Sequence, residues 1–575
     1  MKIIIAKNAG FCMGVRRAVE MALDAPNNYE GPIYSLGPLI HNPQVLTVLK
    51  EKGISIMEDI PDRGSGTVLI RAHGVPLNVK KNLEKAGFNI VDATCPRVVK
   101  VQTIIRQYAR KGYTSIIVGD KNHSEVVGLL GYAGETGHIV SSLDELKSLP
   151  AFAQAIIVAQ TTQNTLFFEQ VKIWARTCFP HYEVFNTVCD STERRQADVK
   201  WLANSVDAVI VVGGLDSANT QRLVEVANQC GKPAYHIETE SELDAGMLAS
   251  AKCIGVTAGA STPNWIIKRV YRTLETLLLK KDQRWREILF NIQRALLLSN
   301  IYVSIGAGCL CYACTALQGI EISPPNLLVS ALYVLSMHIF NHLTARKADQ
   351  YNDPDKAFFY LKRKDSLALL SIISCAAGLS IAYFMGALPF FLLLAMIVTG
   401  LSYNFELLPA PFFGTKYRRV RDIPGSKTTL ISAAWGILTA VLPAISITGG
   451  IGLSTALVFL WSTSMVFVRT SFFDILDMQG DRIVGKETIA TLLGEKLTTR
   501  VLKSITAVSF MMLCFSTAFH LFSSLGFALA ICPLFLFMIL FFHERRDIPL
   551  GIRLEFLVET QFVLAGIITF IYNVF

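Results

Sequence analysis

The sequence predicts an α/β N-terminal half followed by an all-α transmembrane domain of nine helices. Its 575 residues are 51% hydrophobic and only 17% charged, with a mean hydropathy of +0.41. That is too apolar for an average soluble protein. The apolarity is also uneven. Residues 1 to about 285 read as ordinary α/β sequence, whereas from Ile288 onward apolar runs dominate. At about 20 residues each, these runs can cross a hydrocarbon core about 30 Å thick.

In the first half, strand-like runs alternate with helix-like ones. "KIIIA", "TVLIRA", "SIIVGD", "HIVSS", "QAIIVAQ", "DAVIVVGG" and "CIGVTAG" are separated by stretches such as "PLNVKKNLEKAG" and "STERRQADVKWLANSV". This alternation predicts parallel sheet, with ligands bound in the turns that follow the strands. The opening "MKIIIAKNAGFC" lacks the small-residue cleavage site of a secretory leader, so this half is expected in the cytoplasm. Twelve cysteines in a reducing compartment do not suggest a disulfide framework. Cys178, Cys230 and Cys253 are expected as buried thiols. Cys309, Cys311, Cys314, Cys375, Cys514 and Cys532 fall in apolar spans as small apolar residues.

Three cysteines differ in context: Cys12 in "GFCMGV", Cys95 in "VDATCPRV" and Cys189 in "NTVCDST". Each ends an extended segment and begins a helical one, in a different third of the half. The spacing predicts three similar subdomains offering one thiol each to a common centre. Thiols at helix N-termini are expected to have lowered pKa and to ligate metal well. Four would close a zinc or iron–sulfur site, whereas three leave one position open. Gly10 and Gly14 flank Cys12, as though something bulky must approach it.

Further polar groups stand in glycine-bearing turns: His41, His73, His123 with Glu125, Thr161 and Thr162, Ser217 with Asn219, and Ser261. Histidines, hydroxyls and an amide in such turns suit a convergent anion site for a diphosphate. The net charge of +9 is modest, and most basic residues of the second half sit in loops between apolar spans, where membrane orientation explains them, so a nucleic-acid partner is not expected.

Together "AGFCMGVRRAV", "GPLIHNPQV", "IRAHGVP", "DATCPRV", "HSEVVG", "QTTQ" and "GVTAGASTPNW" resemble 4-hydroxy-3-methylbut-2-enyl diphosphate reductase, over residues 1 to about 280. The resemblance implies three pseudo-symmetric α/β subdomains around a central cavity. It implies a [4Fe–4S] cluster on Cys12, Cys95 and Cys189. It also implies reductive removal of a hydroxyl to give isopentenyl and dimethylallyl diphosphates in the non-mevalonate isoprenoid pathway. By motif, Glu125 would supply protons and Thr162, in preference to Thr161, would orient the substrate hydroxyl. His41, His73, His123, Ser217, Asn219 and Ser261 would bind the diphosphate. Electrons would come from an external donor such as ferredoxin or flavodoxin. One departure is Ser217-Ala218-Asn219, where the family has Ser-Ser-Asn. Losing that hydroxyl would weaken phosphate binding by ~1 kcal/mol.

The segment 281–295, "DQRWREILFNIQR" at its heart, reads as a linker and interfacial helix. Nine spans are expected at about 296–317, 325–343, 366–386, 388–406, 428–447, 452–471, 502–521, 524–542 and 554–574. Connections after even-numbered spans are rich in Lys and Arg, and the others lack them. The positive-inside rule then puts the even loops and the N-terminal half in the cytoplasm, at an inner membrane, with the C-terminus outside.

At the cytoplasmic end of span six, Asp474, Asp477 and Asp481 follow i, i+3, i+7 spacing on one helical face. Such carboxylates at a membrane boundary invite Mg²⁺ and a diphosphate. "DILDMQGDRIVGKETIATLLG" and "DIPGSK" resemble the UbiA family of intramembrane prenyltransferases, over about residues 290 to 575. That implies Mg²⁺-dependent transfer of a polyprenyl group from its diphosphate to an acceptor. Asp349 and Asn341 match the family's first aspartate motif, but His342 and Ala345 stand where aspartates are usual. Asp353 and Asp355 are candidate substitutes. Arg346, Lys347, Tyr403, Lys416 and Lys427 are candidate diphosphate contacts. The alternative to an active transferase is a silent membrane anchor or lipid-binding domain. For the soluble half, the alternative is a non-enzymatic cluster sensor.

Overall fold

The structure, a computed structural model, describes residues 2–244, 246, 248, 251–279, 284–344, 349, 351–403, 423, 425–484, 486–545 and 551–575. The chain forms two compact units, Met1–Leu278 and Leu279–Phe575.

The first unit is mixed α/β. Its strands are β1 (Lys2–Ile5), β2 (Ile33–Leu36), β3 (Ile54–Met57), β4 (Thr67–Ile70), β5 (Asn89–Asp92), β6 (Thr114–Val118), β7 (Gly137–Val140), β8 (Ala155–Ala159), β9 (Glu183–Val184), β10 (Ala208–Val212), β11 (Ala234–Ile237) and β12 (Cys253–Ala258). Among the described residues they form three parallel sheets, β3-β2-β4-β5, β7-β6-β8-β9 and β1-β12-β10-β11. The first two share the order second-first-third-fourth, and the last has it too once β10, β11 and β12 are counted first and β1 fourth. The chain's first strand therefore completes its last sheet, with Lys2 opposite Cys253 and Ile5 opposite Val256. Central strands such as β8 (AIIVA) and β10 (AVIVV) are buried throughout. Continuous apolar runs are what a parallel sheet covered on both faces demands.

Three cysteines depart from expectation. Cys178 is exposed, and Cys230 and Cys253 are only half-buried. Cys178 and Cys230 sit at helix C-termini and Cys253 at the first residue of β12, where each element emerges from the core.

The second unit is a bundle of apolar helices. Among the described residues seven are long and apolar enough to cross a membrane, or up to eight if a bent pair is one span. That pair, Ile288–Leu298 and Ile301–Leu317, turns by 73°, and the helix Ala387–Ser402 is shorter. Trp435, Trp461, Phe472 and Phe562 fill the interior. Phe384, Val508 and Phe570 point outward and are exposed, forming an apolar surface that suits lipid. This is a multi-pass membrane protein. The sixth expected span does not stop near 471: its helix runs Leu453–Ile483, carrying the three aspartates on regular helix.

Candidate functional site

Cys12, Cys95 and Cys189 each directly precede a helix, Met13–Asn28, Pro96–Ala109 and Asp190–Ser205. These helices follow β1, β5 and β9, the fourth strand of each sheet, so the three positions are topologically equivalent. The thiols are near enough to act on one another electrostatically. A Cβ on Gly14 would lie 2.4 Å from Cys95 Sγ, so the helix behind Cys12 can approach only as glycine. Gly10, at φ +100°, makes the turn before it. The expected lowering of thiol pKa does not hold for Cys95 and Cys189. Burial pushes both up, and the neighbouring thiol of Cys12 adds to it, outweighing helix N–H donors. Cys95 and Cys189 thus resist ionisation until a cation joins them, which a metal centre does.

Residues after the first and third strands converge in the same way. His41, His123 and Ser217 follow β2, β6 and β10, and His73, Thr161 and Ser261 follow β4, β8 and β12. The imidazole centroids of His41, His73 and His123 are 5.0, 5.3 and 6.1 Å apart. Their nitrogens all lie within 4.8 Å of one another, close enough to hold a metal ion, and metal chemistry in general fits these donor sets. Burial lowers the pKa of all three, to about 4 for His123. His123 also caps the helix Ser124–Ala133, its Nδ1 accepting from the Glu125 N–H at 3.2 Å. Ser261 Oγ donates to the His41 carbonyl at 3.1 Å and lies 3.4 Å from Ser217 Oγ. Asn219 Nδ2, Thr220 Oγ1 and His73 Nδ1 are buried without a hydrogen-bond partner among the described residues. Buried polar atoms are normally paired, so orphans converging on one place mark a ligand's position. Sequence reasoning passed over Arg71, whose charge acts on all three histidines, although it stands two residues before His73 in "IRAHG".

Glu125 is 1% exposed in the first turn of its helix. Its Oε1 accepts from the Thr161 backbone N–H at 2.7 Å and its Oε2 from Thr161 Oγ1 at 2.8 Å. Burial raises its pKa to about 7 against the pull of those two bonds. Thr162 instead accepts from Gln160 Nε2 at 2.9 Å. It is thus Thr161 that the structure joins to the acid.

In the membrane unit, Asp474 and Asp481 are buried, at 7% and 0% exposure. Asp474 Oδ2 accepts from Thr428 Oγ1 at 2.7 Å, and Asp481 Oδ1 from Asn352 Nδ2 at 2.9 Å. Lys486 Nζ lies 3.1 and 3.2 Å from the two Asp481 oxygens, and Asp477 acts on the same pair. Lys427 interacts electrostatically with Asp349, Asp474 and Asp481, so the two aspartate segments meet there. His342 Nδ1 is 2.8 Å from Asp349 Oδ2. Asp353 caps the helix Pro354–Lys362 through the Lys356 N–H, and Asp355 pairs with Arg294 at 3.2 Å, so both carboxylates have structural partners. Arg346, Lys347, Ala345 and Lys416 lie outside the described residues. Lys486 was missed from sequence, although it stands five residues after Asp481 in the quoted motif. Beside this site is a cavity of about 260 Å³, with Asn341, His338, Tyr403 and Lys427 among otherwise largely apolar walls.

Residues 3–275 match the family described as LytB protein, and residues 302–550 match the UbiA prenyltransferase family. A 4-hydroxy-3-methylbut-2-enyl diphosphate reductase of Geobacter sulfurreducens is 43% identical over 284 residues, 49% of this chain and 99% of its own. The solved Plasmodium falciparum E-1-hydroxy-2-methyl-but-2-enyl-4-diphosphate reductase is 29% identical, over 49% of this chain and 89% of its own, with a TM-score of 0.46. A UbiA homologue from Aeropyrum pernix K1 is 13% identical, over 48% of this chain and 99% of its own, with a TM-score of 0.38. The class is thus a two-domain enzyme of isoprenoid metabolism, an oxidoreductase continued into a membrane transferase. The chain belongs to the 4-hydroxy-3-methylbut-2-enyl diphosphate reductase family through its N-terminal domain, which is fused to a UbiA-like domain.

Proposed function

We propose that Cys12, Cys95 and Cys189 hold a [4Fe–4S] cluster at the meeting of three pseudo-symmetric subdomains, within a reductase domain of residues 1–280. The observation that carries this is their equivalence: one thiol after the fourth strand of each sheet, with Gly14 leaving room beside Cys95. Three thiols on equivalent turns fit a cationic centre that keeps one position open. When bound, the cluster supplies two electrons, drawn from a donor such as ferredoxin or flavodoxin, and a Lewis-acidic iron. The rest is done by this chain. His41, His73, His123, Ser217, Asn219 and Ser261 bind the substrate's diphosphate, with Arg71 and Thr220 beside them. Glu125 holds a proton at its carboxyl group near neutral pH and delivers it to the substrate. Thr161 fixes the Glu125 carboxyl, and Thr162 orients the substrate hydroxyl. Two electrons and two protons enter, the allylic C–O bond breaks, and the oxygen leaves as water. The test is anaerobic purification of single Cys→Ser variants, measuring iron, sulfide and turnover; full iron and activity in all three would falsify the assignment.

For residues 296–575 we infer a prenyltransferase of nine spans, counting Ala387–Ser402 as one, that acts on a polyprenyl diphosphate from the cytoplasmic side of an inner membrane. Residues 281–295 are its interfacial linker; Trp285, Ile288, Leu289 and Ile292 there are exposed and suit a bilayer surface. Asp349, Asp474, Asp477 and Asp481 would gather Mg²⁺, and Asn341, Arg346, Lys347 and Lys427 the diphosphate. Lys486 joins them. The carrying observation is that Lys427 interacts electrostatically with Asp349, Asp474 and Asp481 and also lines the apolar chamber. A prenyl diphosphate has the same polarity, a charged head and an apolar tail. Incubating membranes with labelled polyprenyl diphosphates and extracted lipids tests this reading. Transfer across a broad acceptor panel supports it, and its absence beside full reductase activity favours a silent anchor.

A further inference from the structure

Two segments bring carboxylates to the membrane site, and they contribute unequally. Asp474, Asp477 and Asp481 all lie on the helix Leu453–Ile483. In the stretch 341–355 the acidic residues are Asp349, Asp353 and Asp355. Asp353 caps the helix Pro354–Lys362 and Asp355 pairs with Arg294, which leaves Asp349 alone for the site. One of its oxygens is already 2.8 Å from His342 Nδ1. Mg²⁺ is usually held by one or two carboxylates together with phosphate oxygens and water. The three aspartates of the long helix meet that need for one ion. A second ion would need carboxylates on the other side of the diphosphate, where Asp349 stands by itself.

What accompanies Asp349 is a lysine. Lys356, half-buried in the helix Pro354–Lys362, interacts electrostatically with Asp349 and His342, and with His338 of the chamber wall. Its Nζ donates to Asn300 Oδ1 at 3.3 Å, its one side-chain hydrogen bond among the described residues. Asn300 is 1% exposed, and its Nδ2 donates to the Tyr360 hydroxyl at 2.6 Å, so both ends of the amide are fixed. The Tyr360 ring in turn lies 5.3 Å from that of His342. Lys356 is thus anchored by a neutral amide, and two of its three N–H donors are bonded to no described group. Lys486 differs, being committed to both oxygens of Asp481. An ammonium steadied by neutral groups beside a diphosphate site is a binding point for the anion.

We propose that this site takes a single Mg²⁺ among its aspartates, and that Lys356 binds the diphosphate on the Asp349 side in place of a second ion. This rests on the prenyltransferase reading above. When the donor's carbon–oxygen bond breaks, its electron pair leaves with the diphosphate and negative charge builds there. A fixed ammonium meets that charge with two N–H donors and needs no carboxylates to hold it. His342 and Ala345, standing where aspartates are usual, then follow from the same arrangement. A site neutralised by lysine on one side has no use for further carboxylates there, and Asp349 with His342 serves to position Lys356.

The test is binding to the full chain in phosphatidylethanolamine–phosphatidylglycerol nanodiscs, with Mn²⁺ as a paramagnetic stand-in for Mg²⁺ and geranylgeranyl diphosphate as the anion. Electron paramagnetic resonance counts the Mn²⁺ taken up when the diphosphate is added. The count for Asp474→Ala/Asp481→Ala is subtracted to remove ions bound elsewhere. The wild type should take up one ion per chain. Lys356→Met should still take up one, while its affinity for geranylgeranyl diphosphate at saturating Mn²⁺ falls about tenfold or more, the scale of a hydrogen bond to a charged group. Lys356→Arg should restore the affinity, and geranylgeraniol, which has the tail without the anion, should bind all of them alike. If Lys356→Met loses geranylgeraniol as well, Lys356→Gln decides, with the same expectation. Two ions in the wild type, or wild-type diphosphate affinity in the deciding variant, overturns the proposal and leaves the prenyltransferase reading standing. A wild type that binds no geranylgeranyl diphosphate at any Mn²⁺ concentration removes both.

Discussion

Thr161 grips both carboxyl oxygens of Glu125, one with its backbone N–H at 2.7 Å and the other with its hydroxyl at 2.8 Å. Both bonds favour the carboxylate, while burial favours the acid, and burial prevails with a pKa of about 7. Glu125 therefore donates a proton below about pH 7 and progressively fails above it. Thr161→Val removes one bond to the charged form, so the alkaline limb of the turnover profile should move to higher pH. Glu125→Gln keeps the shape and loses the proton, and turnover should fall by about 10²–10⁴-fold with little change in substrate affinity. Rates within twofold of wild type for Glu125→Gln would remove its role.

Gly14→Ala is a second test of the thiol centre, made without touching a thiol. The added methyl would sit 2.4 Å from Cys95 Sγ and 3.0 Å from its Cβ, so the thiol must rotate or the helix must move away. Iron and sulfide per chain should drop together with visible absorbance, while far-ultraviolet circular dichroism stays near wild type. A fully loaded Gly14→Ala protein would show that the thiols do not converge as described.

The three histidines make diphosphate binding a proton-linked event. Burial holds all three below their usual pKa, His123 at about 4, so at neutral pH they are uncharged. An anion among them favours the charged forms and raises those pKa values. The complex should then take up protons, and affinity should weaken as pH rises. Calorimetry in two buffers of different ionisation heat gives the number taken up, and His123→Asn should lower it. A binding heat independent of the buffer excludes the linkage.

In the membrane domain, Asp474→Ala and Asp481→Ala should slow prenyl transfer severely and raise the Mg²⁺ needed, because the leaving diphosphate loses its charge neutralisation. Lys486→Met should do so too, since Lys486 spans both oxygens of Asp481. Reductase turnover of the same preparation is the internal control. Transfer unaffected by all three changes means that the metal lies elsewhere.

The α/β alternation, the onset of the membrane half and the identities of most polar groups could be read from sequence because strand ends and apolar runs are local. The equivalence of Cys12, Cys95 and Cys189 was legible as three cysteines at three strand-to-helix turns. That all three follow a fourth strand was not, because β1 pairs with β12, some 250 residues away, and no local pattern carries that register. Thr161 and Thr162 are neighbours with the same side chain, and only the direction of the turn after β8 decides which meets Glu125. The pKa values of Cys95 and Cys189 run opposite to expectation for the same reason: helix N-termini are visible in sequence, whereas burial is not.

The β1–β12 pairing also sets a timetable. A ribosome adding about 5–20 residues per second needs roughly 10 to 50 seconds to travel from the codons for β1 to those for β12. Until Cys253–Ala258 emerges, the segment bearing Cys12 has no edge to dock on, although the sheets that position Cys95 and Cys189 are already synthesised. Cofactor delivery to a nascent chain would therefore meet two of its three anchors first. The third would arrive just before the first membrane span leaves the exit tunnel.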